Sequence, residues 1–163
     1  LDFDRPDSTG GAQREKLTVR IPAGIEDGAR IRLAGKGQEG SHGGPPGDLF
    51  ARTKVRRHAF LERDDRDLTM EAPVSVTEAI YGAAIEIPTL DGRVTLRVPP
   101  GTDGGSRLRL RGKGVPAHGR HPAGDLYVTL RIRVPKDLPS DSREQLESVL
   151  KDDPEEWRRK AFS

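Results

Sequence analysis

Residues 17–55, LTVRIPAGIEDGARIRLAGKGQEGSHGGPPGDLFARTKV, recur as residues 94–132, VTLRVPPGTDGGSRLRLRGKGVPAHGRHPAGDLYVTLRI. The offset is 77 throughout, without a gap, and fifteen of the 39 positions are identical. Self-similarity of this kind constrains the fold more than any other feature, because both copies must solve the same packing problem. A period of 77 is too long for a solenoid. Two similar β-domains in tandem are expected.

Each copy has the same layout. Leu17, Val19 and Ile21, and then Val94, Leu96 and Val98, alternate with polar residues as in a half-buried strand. Pro22 and Pro99 end those strands, since proline has no N–H to donate. Gly24 and Gly28, with Gly101 and Gly105, bracket a turn. A second strand follows at Arg30–Leu33 and Arg107–Leu110, with Ile31, Leu33, Leu108 and Leu110 expected inward and the arginines outward. Gly35-Lys36-Gly37 and Gly112-Lys113-Gly114 then open a polar loop that runs to Gly47-Asp48-Leu49 and Gly124-Asp125-Leu126. Third strands are expected over Leu49–Val55 and Leu126–Val134. Asp91-Gly92 between Ile85–Leu90 and Arg93–Val98 signals a two-residue hairpin.

The flanks differ. Asp67–Leu90 reads as a strand, a helical turn at Thr77–Tyr81 ended by Gly82, and another strand. The first copy is preceded by LDFDRPDSTGGAQREK, too polar to supply equivalent strands, so the first domain is expected to be truncated or built differently. At the other end, Pro139-Ser140-Asp141-Ser142 offers helix N-caps, and Leu146, Val149 and Leu150 fall on one helical face. Pro154 opens a second short helix. The expected divisions are residues 1–16, an N-terminal segment; 17–66 and 67–138, two β-domains, the first incomplete; and 139–163, a helical tail able to dimerise the chain.

Composition narrows the function. Hydrophobic and charged residues are 33% each, so any core is thin, and Gly and Pro together number 32 of 163, as many turns and short strands require. There is no Cys, which removes disulfides, cysteine zinc sites and thiol catalysis. No apolar run has the length of a membrane span and no signal-peptide pattern opens the chain, so a cytoplasmic protein with no membrane partner is expected. The net charge of +2 is a mild imbalance.

Chemistry-bearing patterns are sparse. Gly35-Lys36-Gly37 lacks the spacing of a phosphate loop, and its duplication marks a structural turn. His118 and His121 have ligand-like spacing but no third ligand beside them, so no metal or cofactor is expected; His42 and His58 add none. Asp48 and Asp125, each after Gly, read as turn caps rather than catalytic carboxylates. No nucleophile elbow occurs, and no enzymatic activity is expected. Arg20, Arg30 and Arg32 match Arg97, Arg107 and Arg109, a solvated strand face that also suits DNA or RNA phosphates. A β-domain with an open edge accepts an extended peptide as an extra strand, with Ile31, Leu33, Leu49, Phe60 and Leu61 as candidate pocket residues.

Several motifs carry a resemblance. IPAGIEDGARIRLAGKG, GGPPGDLF and HAFLERDDRDL, followed by APVSVTEAIYGAAIEIPTLDG, VPPGT, LRLRGKGVP and GDLYVTLRIRVP, resemble the carboxy-terminal substrate-binding region of DnaJ-type co-chaperones. The resemblance spans about residues 15–138. It implies a mostly β fold with two sandwich-like domains and a dimerising helix, binding of unfolded polypeptides, and their delivery to a DnaK-type chaperone. Clients in that family dock on an apolar depression of the first domain. The sequence has neither the His-Pro-Asp motif of a J domain nor CxxCxGxG repeats, so it resembles the zinc-free subclass or a piece of a zinc-containing relative, and the chain alone is not expected to stimulate a DnaK ATPase. His58-Ala59-Phe60-Leu61 departs from the family's His-Pro-x-Phe, with Leu61 at the usual Phe position. Alternatives remain: a nucleic-acid-binding module using the arginine faces, and an inert structural piece.

Overall fold

The computed structural model describes residues 2–6, 12–38, 40, 44–150 and 154–162; His42 lies outside them. The fold is mostly β. Its strands are β1 (Asp2–Pro6), β2 (Ala12–Lys16), β3 (Arg30–Leu33), β4 (Leu49–Arg52), β5 (Glu62–Asp64) and β6 (Asp67–Ser75), then β7 (Ala83–Thr89), β8 (Gly92–Val98), β9 (Arg107–Leu110) and β10 (Leu126–Arg133). Helix α1 (Val76–Tyr81) follows β6, and α2 (Ser140–Val149) and α3 (Pro154–Ala161) close the chain. Residues 1–132 form one compact unit and residues 133–163 another.

The core of the first unit is built by the second copy together with Leu61, β6 and β7 before it. Sheet order is β5-β6-β10-β9, with β7-β8, β3-β4 and β1-β2 as separate antiparallel pairs. Strand β6 places Leu68, Met70, Ala72 and Val74 on one face, and β10 adds Leu126, Val128 and Leu130, these last three at 0% exposure. The β7–β8 hairpin contributes Ile87, Leu96 and Val98 to the same cluster, and Leu108 and Leu110 pack against it. Burial of each such side chain contributes about 1.5–3 kcal/mol. Strict alternation in β6 and β10 therefore fixes their register, since a slip of one residue would expose the whole set.

Helix α1 starts where its sequence demands. Ser75 Oγ accepts the Glu78 N–H at 3.1 Å, and Glu78 Oε2 accepts the Ser75 N–H at 2.7 Å, a reciprocal capping box. Gly82 ends the helix at φ 78°. The turn after β8 then closes on it, with Gly101 and Thr102 N–H donating to Ile80 and Ala79 carbonyls.

Several sequence expectations need correction. Residues 17–22 form no strand, although LTVRI matches VTLRV of β8: among the described residues no strand pairs with them, whereas β8 has β7 beside it. Conversely, the polar N-terminal segment does supply strands: β1 and β2 pair from Asp2↔Lys16 to Pro6↔Ala12, where backbone hydrogen bonding alone suffices for a ladder. The β7–β8 turn is centred on Leu90-Asp91, one residue earlier than expected, with Thr89↔Gly92 as the closing pair. Helix α2 is capped by Pro139 without a side-chain bond, so Ser140, Asp141 and Ser142 lie inside its first turn. Strands β4 and β10 stop at Arg52 and Arg133, short of the expected Val55 and Val134.

Candidate functional site

The duplicated GKG and GD motifs build the same clamp twice. In the first copy Asp48 Oδ1 accepts the Gly35 N–H at 3.0 Å while Oδ2 accepts from Arg32 Nε at 2.6 Å. In the second, Asp125 takes the Gly112 N–H at 2.7 Å and Arg109 Nε at 2.6 Å. The Gly35 N–H, and then Arg32, hold the Asp48 carboxyl below its ordinary range. Asp125 is lowered likewise, chiefly by the Gly112 N–H. Gly37 and Gly114 donate to the Gly47 and Gly124 carbonyls at 2.7 and 2.9 Å, so the loop closes on itself. A Cβ at Gly37 would meet Asp48 O at 2.7 Å, and one at Gly114 would meet the Gly124 carbonyl carbon at 2.5 Å, which is why glycine stands in both copies. Both carboxylates are thus spent on backbone and arginine, and they hold β3 to β4 and β9 to β10.

The clamp presents the β3–β4 hairpin. Its register pairs Arg30↔Arg52, Ile31↔Ala51, Arg32↔Phe50 and Leu33↔Leu49. Ile31, Leu33, Leu49 and Ala51 therefore share one face, each half-buried, while Arg30, Arg32, Phe50 and Arg52 share the opposite, exposed face. None of the four apolar residues belongs to the buried core cluster. Among the described residues β3 and β4 pair only with each other, so each leaves one edge unpaired.

The expected pocket residues do not come together. Ile31, Leu33 and Leu49 form the apolar hairpin face. Leu61 is 7% exposed and sits in the core cluster with the inward residues of β6 and β10. Phe60, 43% exposed, lines a separate cleft of about 490 Å³ with His58, Ala59, Glu62, Thr69, Met70, Glu71 and Thr129. The His58 and Phe60 rings meet edge to face at 4.5 Å between centroids. Alternation in β6 and β10 places Thr69, Glu71 and Thr129 opposite the core side of their strands, a signal present in the sequence, but their meeting with Phe60 depends on the path of residues 55–61. His118 and His121 exchange backbone hydrogen bonds at 3.1 and 3.0 Å across a tight turn. Among the described residues no group of His, Asp and Glu is arranged to hold a metal ion, and no helix is long and apolar enough to cross a membrane.

Duplicated β-hairpins held by Asp–Gly clamps, one packed into a core and one with open edges among the described residues, define a β-rich module. The family model for the DnaJ C-terminal domain matches residues 4–135. A protein of Chelativorans sp. (strain BNC1) called chaperone protein DnaJ is 46% identical over 140 residues, 85% of this chain and 37% of that protein. The protein of the same name from Brucella canis is 47% identical over the same shares. The chain belongs to the DnaJ C-terminal domain family, a family of chaperones rather than an enzyme class, and it spans a little over a third of the length of these curated relatives.

Proposed function

We propose that this chain is the client-binding region of a DnaJ-type co-chaperone: it holds unfolded polypeptide in extended form, for delivery to a DnaK-type chaperone. The observation that carries the reading is the β3–β4 hairpin, with an edge on each strand unpaired among the described residues and Ile31, Leu33, Leu49 and Ala51 half-buried on one face. An extended segment adds to such an edge through backbone hydrogen bonds, and its alternate side chains meet the apolar face. Phe60 in its cleft is a second contact along the same client. Leu61 supports the domain rather than touching the client, since it is a core residue.

Exposed Leu146, Val149 and Leu150 at the end of α2, with Trp157 on α3, favour pairing of two chains through the tail. Two weak sites on one long client then gain avidity. The reading carries with it a cytoplasmic place of action.

Binding of a fluorescent extended apolar peptide tests it. Wild type should bind saturably, and Ile31→Ser with Leu49→Ser should weaken binding roughly tenfold or more, the worth of one buried aliphatic contact. Circular dichroism checks that the variant keeps its fold, and Phe60→Ser measures the cleft independently. A folded wild type that does not bind rejects the proposal.

A further inference from the structure

We infer that the opposite face of the β3–β4 hairpin binds single-stranded nucleic acid, with phosphates on its arginines and a base on the ring of Phe50. The face is built by register: Arg30 stands directly across from Arg52, and Arg32 across from Phe50. Like charges opposite one another destabilise a strand pair unless an anion lies between them. The chain continues with Lys54, Arg56 and Arg57, all exposed. Among the described residues Arg30, Arg52, Lys54, Arg56 and Arg57 hold no ion pair. Two nearby acids already have partners: Asp48 in Gly35 and Arg32, and Asp27 in the Val55 N–H at 2.8 Å.

The second copy shows what the same face looks like when it is closed. There Arg107 lies over the Tyr127 ring, 4.0 Å from its centroid, so the aromatic surface is already covered by the chain's own cation. Arg109 is tied to Asp125 just as Arg32 is to Asp48, but Thr129 stands where the first copy has Arg52. Phe50, the counterpart of Tyr127, is 59% exposed and has no cation over it among the described residues. A flat, uncovered ring set among cations is the arrangement that stacks a base and neutralises its phosphates. An acidic peptide would use the cations but leave the ring without a partner.

The test is fluorescence anisotropy of a labelled oligothymidylate with the whole chain, titrated across salt concentrations. Wild type should bind at low salt with a steep inverse salt dependence. Arg30→Gln with Arg52→Gln should flatten the log–log salt slope by about 1.4, near 0.7 for each phosphate of a single strand that is no longer neutralised. Phe50→Ser should weaken binding roughly five- to a hundredfold with the slope unchanged. Arg107→Gln should change little. Binding of the apolar peptide should survive all three changes, because Ile31, Leu33 and Leu49 face the other way. Absence of binding at low salt overturns the inference. So does loss of binding to the Arg107 variant equal to that of the double variant. Equal competition by polyglutamate, together with a Phe50→Ser variant that binds as wild type does, overturns it in favour of an acidic protein partner.

Discussion

The two copies carry nearly the same strand-forming sequence and end in different environments. Leu126, Val128 and Leu130 of β10 are fully buried, while their counterparts Leu49, Ala51 and Thr53 are half-buried. Strand β10 lies between β6 and β9; β4 has β3 alone among the described residues. The turn after β8 closes on α1 through Gly101 and Thr102, whereas in the first copy Ile25 N–H bonds back to Pro22 O at 3.3 Å. The lesson is that the shared motifs specify the hairpin and its clamp, while neighbouring strands decide whether that hairpin becomes core or surface. A hairpin whose edges are unpaired among the described residues, with two chemically different faces, is the one the proposed binding uses.

The largest expected effect separates the copies by stability. Leu130→Ala should lower unfolding stability by about 2–5 kcal/mol, because it empties a fully enclosed site. Leu33→Ala should cost about 1 kcal/mol or less, its side chain being half in water already. Urea denaturation of both variants decides; equal losses would mean that the first copy is packed as tightly as the second. Next comes helix α1. Ser75→Ala removes an N-cap and half of the capping box, and should cost about 1 kcal/mol in the same measurement.

The smallest effect concerns the clamps. Asp48, Asp125 and Glu78 are all held below their ordinary values, the aspartates chiefly by glycine N–H groups and Glu78 by the Ser75 N–H. Groups lowered on folding contribute stability above their unfolded values, and that contribution is lost as pH falls through the folded ones. Stability should therefore be flat near neutrality and decline below the ordinary carboxylate range. Asp125→Asn should blunt the decline more than Asp48→Asn, since the Asp125 carboxylate is the less exposed and has Arg111 as well as Arg109 near it, where Asp48 has Arg32 alone. Equal blunting in acid titrations followed by circular dichroism would show the two clamps to be energetically alike.

Much of this was legible in the residues. The repeat marked matching strands at Arg30–Leu33 and after Asp48, the glycine-lined loop between them and both aspartates as turn caps, because these depend on contacts within one copy. Gly82 and Pro154 marked helix boundaries through local backbone constraints. Other features needed partners distant in the chain. LTVRI and VTLRV have the same alternation, yet only the second is a strand, since a ladder requires a neighbour and Ala83–Thr89 supplies one. Leu61 read as a pocket residue because it is apolar and follows Phe60; in space it belongs to the core built by β6 and β10.

Sequence alone determined the mostly β class, the duplicated strands and their turn caps, and the resemblance that the family match bears out, because alternation, turn glycines and capping act over short stretches of chain. Tertiary structure alone decided which copy is buried, where Phe60 and Leu61 part company, and that Phe50 is bare while Tyr127 is covered. Burial is set by what packs against a strand, and identical strands have no say in their neighbours.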